Sequence, residues 1–226
     1  MKRLGVLLVT GLILFLLFVF FSFLVHKNLF TQFDFDTTVR FQNAIPHKFD
    51  RPFSWLSELG SFEPVLLFLL IVLLIRRKLS GFFALMLFAA FHVFELFGKA
   101  FVSHLPPPQF MVRAENIFNF PQFHVREVNS YPSGHAGRAA FVTVFLSILI
   151  YTSPRLQQYQ KWMIIGLFVL YDMVMFASRI YLGEHWSSDV IGGAILGAGL
   201  GILSIFLADF TVYILGTLFR IKSKWI

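Results

Sequence analysis

The sequence contains no cysteine, and charged side chains are scarce. Without cysteine the chain forms no disulfide and offers no thiolate for nucleophilic chemistry or metal ligation. Asp, Glu, Lys and Arg make up only 14% of the 226 residues, whereas 57% are hydrophobic, which excludes an ordinary soluble domain. The length is too short for two membrane domains. We therefore predict a single integral membrane domain over residues 1–226.

Long hydrophobic runs occupy most of the chain. Their number predicts an all-α bundle of six transmembrane helices, at about 4–25, 62–75, 80–103, 134–151, 162–180 and 188–218. The second run is short unless residues 56–61 begin it. A secretory signal is excluded for the first run, because it is too long and has no small-residue cleavage site. Residues 27–60 are mixed and predict a short amphipathic helix and loop at the interface, or a solvated linker.

Basic residues are concentrated in alternate connections of this bundle. With six spans, the N-terminus, residues 76–78, residues 153–161 and the C-terminus share one side, and they contain ten Lys or Arg but no Asp or Glu. Basic connections favour the cytoplasm, so both termini are predicted to be cytoplasmic in the plasma membrane. The net charge of +7 thus reflects topology and an anionic substrate, and no nucleic-acid partner is expected.

Residues 178–189, Ser-Arg-Ile-Tyr-Leu-Gly-Glu-His-Trp-Ser-Ser-Asp, combine polar groups suited to phosphate chemistry. A helix that begins at about His185 places Asp189 one turn further on the same face. The carboxylate can then accept a hydrogen bond from one ring nitrogen and leave the other free to attack. Arg179 provides a planar cationic fork for phosphate oxygens. The alternative is a polar interhelical loop without chemistry.

A second polar stretch lies at the start of the fourth run. Ser133 and Gly134 precede an apolar helix, whose unpaired N–H groups and dipole form an anion site. The alternative for Ser133 is a plain helix cap. In the predicted topology, five ionisable residues fall at the outer end of their spans: Lys99, His135, Arg179, His185 and Asp189. Such residues near a membrane are costly and usually functional.

These two stretches resemble known motifs. Pro132-Ser133-Gly134-His135 and Ser178-Arg179-x5-His185-x3-Asp189 are similar to the second and third signature motifs of the type 2 phosphatidic acid phosphatase superfamily, which includes membrane lipid phosphatases and soluble vanadium haloperoxidases.

The resemblance implies a role for each matching residue. His185 would attack phosphorus, Asp189 would fix its tautomer, and His135 would be the general acid. The phosphate oxygens would be held by Lys99, Ser133, Gly134 and Arg179. No cofactor is implied, and no metal is expected, because the neighbouring Lys and Arg would repel a cation.

The first motif of that superfamily is incomplete in this chain. The family has Lys, six residues and then Arg-Pro, but Lys99 is followed at that spacing by Pro106-Pro107. The missing phosphate contact could come from Arg113, His104 or Arg138. Arg113 is the preferred candidate because it lies in the same outer loop. An ordinary interfacial loop arginine is the alternative.

Several functions are compatible with these observations. The preferred one is metal-independent hydrolysis of a lipid phosphate or pyrophosphate at the outer membrane face through a phosphohistidine. Undecaprenyl pyrophosphate, phosphatidylglycerol phosphate and phosphatidate are the candidate substrates. The alternatives are a lipid phosphotransferase and a degenerate lipid-binding or transport protein. Gly193 and Gly197 form a small-residue pair that could pack within the bundle or in a homodimer.

Overall fold

The computed structural model describes residues 2–76, 79–115 and 128–219. These residues form eight α-helices and no β-strand: α1 Lys2–His26, α2 Thr31–Ala44, α3 Asp50–Leu59, α4 Phe62–Arg76, α5 Leu79–Phe101, α6 Gly134–Tyr151, α7 Gln158–Tyr181 and α8 Ser187–Phe219. Short 3-10 turns occur at His47–Phe49 and Gln109–Met111. The all-α prediction is confirmed. The basic residues at 77–78 and 220–224, which the topology prediction used, lie outside the described residues.

Five of the described helices are long and apolar enough to cross a membrane, namely α1, α5, α6, α7 and α8. The chain is a multi-pass membrane protein. The predicted second span is only partly matched, because α4 has 15 residues and reaches about 22 Å, whereas a bilayer core is ~30 Å thick. A sixth span results only if His47–Leu59 and Phe62–Leu74, which are bent by 44°, are counted as one.

The glycine-rich start of α8 lies directly against α6 in the middle of the bundle. A Cβ on Gly197 would lie 2.0 Å from the carbonyl oxygen of Gly137, and one on Gly193 would lie 2.2 Å from that of Ser133. Only glycine permits this approach of two backbones. The predicted small-residue pair therefore packs within the chain, and it draws the first turns of α6 and α8 together.

The connection between α1 and α4 covers one end of this bundle. Its two helices are short and polar, because α2 and α3 contain most of the charged residues of the mixed segment, and both pack on α7. Asp34 and Thr38 of α2 and Ser54 and Ser57 of α3 are buried. Asp34 contacts Ser188 at the start of α8, and Ser57 contacts Arg179 at the end of α7, so the segment covers that end and is not a solvated linker.

The contact between α6 and α8 is expected to tolerate no side chain at Gly197. Gly197→Ala should lower the thermal unfolding midpoint in detergent, because its methyl group must push the two backbones apart. Gly166→Ala on α7 is the matched control, since nothing lies within 4 Å of a Cβ there. That variant should be neutral or stabilising by up to ~1 kcal/mol. Equal midpoints for both variants would contradict the close contact.

Candidate active site

Polar residues from several parts of the chain meet around one cavity at the covered end of the bundle. Its volume is about 870 Å³. Among the residues that line it are Gly134 and His135 of the second motif, together with Lys99, Arg138, Arg179 and His185. They come from the end of α5, the start of α6, the end of α7 and the turn before α8. The predicted residues are thus brought together by tertiary packing.

The turn between α7 and α8 presents His185 to the cavity. Gly183 has a positive φ of 68°, and a Cβ there would lie 2.2 Å from the carbonyl oxygen of Met111, so this position requires glycine. Helix α8 begins at Ser187, two residues later than predicted. His185 Nδ1 lies 3.4 Å from Asp189 Oδ2, so the two predicted partners are adjacent. The other ring nitrogen, Nε2, is left for chemistry.

The environment of His185 favours a neutral imidazole. Burial is the largest influence and lowers the pKa of His185, and the cations Arg179 and Lys99 lower it further. The Asp189 carboxylate raises the pKa but only in part offsets these effects. A neutral imidazole with a carboxylate at Nδ1 is the form that can attack an electrophile through Nε2.

The start of α6 is held in place by backbone contacts. Ser133 caps the helix, since its Oγ accepts from Ala136 N at 3.5 Å, and its own N–H donates to the carbonyl oxygen of Asp189 at 3.0 Å. Its side chain is fully buried and does not line the cavity, whereas Gly134 does. A Cβ on Gly134 would lie 2.0 Å from Glu95 Oε1, so glycine is needed here as well.

Two cations of the cavity share one carboxylate. Glu95 Oε1 lies 3.6 Å from Lys99 Nζ, and Glu95 Oε2 lies 3.4 Å from Arg138 Nη1. The Nε of Arg138 also donates to the carbonyl oxygen of Gly60, at the bend between α3 and α4, at 2.8 Å. Because both ends of its guanidinium are held, Arg138 is fixed on the cavity wall.

Arg179 forms the third cationic group of the cavity. Its guanidinium donates to Ser57 Oγ of α3 and pairs with Glu184. The side chain is 3% exposed, so α3 and the turn before α8 hold it in place. The sequence offered no sign of Ser57 as its partner, because 122 residues separate the two.

The structure separates the three candidates for the missing arginine contact. Arg113 donates its backbone N–H to Leu182, and its guanidinium lies 5.2 Å from the centre of the Tyr181 ring, away from the cavity wall. His104 faces Asp189 and also lies outside the cavity lining. Arg138, three residues after His135, is the one of the three that lines the cavity.

A PAP2 superfamily model matches residues 77–212, and the chain belongs to this superfamily. An undecaprenyl-diphosphatase of Sulfolobus acidocaldarius is 40% identical over 77 residues, which are 34% of this chain and 32% of that protein. The chain thus matches about a third of the length of this curated relative.

Two crystal structures have a similar fold. A transmembrane PAP2 type phosphatidylglycerolphosphate phosphatase from Bacillus subtilis has a TM-score of 0.71 at 20% identity, over 89% of this chain and 96% of that one. LpxE of Aquifex aeolicus has a TM-score of 0.58 at 26% identity, over 76% of this chain and 94% of that one. The predicted relationship is confirmed.

Proposed function

We propose that the protein is a membrane lipid phosphatase that hydrolyses a lipid phosphate or pyrophosphate through a phosphohistidine at His185. The observation that carries this proposal is the geometry of one cavity. His185 lines it with Asp189 at Nδ1, and His135, Lys99, Arg138 and Arg179 line it as well. A neutral nucleophile surrounded by fixed cations is suited to a phosphoryl group, whose three equatorial oxygens carry negative charge in the transition state.

The first step forms a bond between phosphorus and His185 Nε2 and breaks the bond between phosphorus and the leaving oxygen. His135 donates a proton to that oxygen, an effect worth ~10²–10⁴-fold. In the second step a water attacks the phosphohistidine while His135 takes its proton, and inorganic phosphate leaves. Asp189 keeps the proton of His185 on Nδ1 throughout.

The lipid character of the substrate is supported by the rest of the cavity wall. Apolar side chains of α4 and α5 line the same cavity as the cationic groups, among them Phe62, Leu66, Leu85 and Phe88. A phosphate at one end and an acyl or prenyl chain at the other satisfy both surfaces. Undecaprenyl diphosphate is placed first in the substrate panel because of the relative from Sulfolobus acidocaldarius, followed by phosphatidylglycerol phosphate and phosphatidate.

Phosphate release from detergent-solubilised protein tests this function. The wild type is expected to release inorganic phosphate from at least one lipid of the panel, and His185→Ala should abolish release because the nucleophile is lost. His47→Ala is the matched control, since the His47 side chain is 76% exposed and does not line the cavity. Activity should survive excess chelator, and vanadate should inhibit because it can mimic five-coordinate phosphorus.

The outcomes separate the alternatives. Loss of activity in chelator and recovery with a divalent cation would make the histidines and Asp189 a metal site. Transfer of phosphate to an added alcohol, with little free phosphate, would indicate a phosphotransferase. Binding of a lipid phosphate with no turnover would indicate a degenerate binding or transport protein.

Arg138 is proposed to supply the contact of the missing first-motif arginine, in place of Arg113. Arg138→Gln should lower kcat/KM by ~10²-fold or more, since one donor to a developing oxyanion is worth about 2.7–4 kcal/mol. Arg138→Lys, which retains the charge, should recover part of this loss. Arg113→Ala is expected to change kcat/KM by no more than a few-fold. A larger loss in Arg113→Ala than in Arg138→Gln would restore the original preference for Arg113.

The site is proposed to face outward from the plasma membrane, with both termini in the cytoplasm. This topology needs the bent α3–α4 pair to act as one crossing. It is supported by the course of α4, which begins just after Gly60, the glycine beside His135, and packs through Leu73 on Gly81 at the opposite end of α5. An odd number of crossings would place the basic N-terminus and the basic C-terminus on opposite sides, against the charge rule.

Single cysteines in this cysteine-free chain test the orientation. The two positions are Val128 and Gln157. Val128 lies at the end of the bundle that holds the cavity, and its side chain is 73% exposed, whereas Gln157 lies in the exposed basic connection between α6 and α7. An impermeant thiol reagent should label the first in intact cells and the second only after permeabilisation. The reverse pattern would place the site on the cytoplasmic side.

A further inference from the structure

A buried histidine stands behind the Asp189 carboxylate, on the side away from the cavity. His104 Nδ1 lies 2.8 Å from Asp189 Oδ1, and His104 Nε2 lies 3.6 Å from Asp34 Oδ2. The side chains of His104, Asp34 and Asp189 are 8%, 2% and 0% exposed. With His185 at the other oxygen of Asp189, the four side chains form a continuous row from the cavity to α2.

The row is anchored at each member. The backbone N–H of His104 donates to Asn129 Oδ1 at 3.1 Å, and its carbonyl oxygen accepts from Ser130 N at 2.9 Å. Asp34 accepts from both N and Oγ of Ser188, at 2.8 and 2.6 Å, which fixes α2 to the first turn of α8. Contacts from three parts of the chain therefore fix the positions of His104 and Asp34 beside Asp189.

The charges explain why a histidine stands between the two carboxylates. Buried carboxylates are costly unless a cation pairs with them. Burial by itself lowers the pKa of His104, but the contacts with Asp189 and Asp34 outweigh it and raise the pKa from 6.5 to about 9. His104 is therefore an imidazolium at neutral pH, whose Nδ1 donates to Asp189 at 2.8 Å and whose Nε2 forms an ion pair with Asp34 at 3.6 Å.

We propose that His104 and Asp34 are positioning residues for phosphoryl transfer, which hold the Asp189 carboxylate turned so that one of its oxygens contacts His104 and the other contacts His185. The proposal rests on the proposed function, since it concerns the same nucleophile. It assigns a role to a histidine in the segment where the first motif lacks its arginine. That role is exerted through Asp189 and not on the phosphate.

The positive charge of His104 also acts on His185. The charged and titratable groups around His185 are Lys99 of α5, His135 of α6, Arg179 of α7 and Asp189 of α8. His104 partly neutralises the Asp189 charge that His185 experiences. Removing the imidazolium therefore increases the electrostatic attraction between Asp189 and a protonated His185, and the pKa of His185 should rise.

His104→Asn separates charge from hydrogen bonding, because an asparagine amide can donate to Asp189 but carries no charge. We expect kcat to fall about 10- to 100-fold with KM nearly unchanged, the usual loss when an outer partner of a functional histidine is removed. The acid limb of the kcat profile should move up by about half a pH unit or more. His26→Asn is the matched control. His26 is exposed, and its Nδ1 accepts a hydrogen bond from the backbone N–H of Ser103, the residue before His104.

Asp34→Asn supplies a second, milder variant. It removes a charge from the row but keeps an acceptor oxygen for Ser188. In protein labelled with 15N-histidine, the wild type should contain one imidazolium that persists at pH 8 and is missing from His104→Asn. Asp34→Asn should lose that proton at lower pH, and its kcat should fall in the same direction as that of His104→Asn. Folded yield is checked for every variant by size-exclusion chromatography.

The outcomes distinguish this inference from the proposed function. An active wild type whose His104→Asn variant keeps the wild-type kcat and acid limb would overturn the positioning role and leave the function intact. A wild type without turnover, in which the imidazolium is present and His185 titrates higher in His104→Asn, would overturn the function and retain the row. A neutral His104 at pH 8 in the wild type would overturn the row itself.

Discussion

The buried carboxylate of Asp189 is the group on which the site depends. It has no access to solvent, so every hydration contact it loses must be replaced by a donor from the protein. Its oxygens receive the N–H of Trp186 at 2.9 Å and a hydrogen bond from His104 at 2.8 Å, and His185 stands at 3.4 Å. Satisfying one carboxylate therefore positions the turn before α8, the segment after α5 and the proposed nucleophile together.

The same principle governs the cations of the cavity. Lys99 and Arg138 share Glu95, and Arg179 pairs with Glu184, so each of these cations has an acidic partner. Fixed cations spare the reaction the cost of gathering charge around a phosphate.

Backbone packing brings these charges to one level of the bundle. Gly193 and Gly197 let α8 lie against the start of α6, and Gly60 at the α3–α4 bend offers its carbonyl oxygen to Arg138. Membrane helices gain little from the hydrophobic effect between them, so close backbone contact is what specifies their register. The register in turn places the start of α6 beside the Asp189 carbonyl.

The sequence by itself determined the local features. Hydropathy predicted the long spans, and the residue spacing of the second and third motifs predicted His135, His185 and Asp189, because these depend on neighbours within a turn or two. Hydropathy also indicated that the second run is short, but only the tertiary structure showed the 44° bend that separates α4 from α3. Only the tertiary structure distinguished Arg138 from Arg113 and paired His104 with Asp189, because those contacts join residues 43 to 85 positions apart, and nothing in a linear pattern specifies which distant side chains share a buried charge.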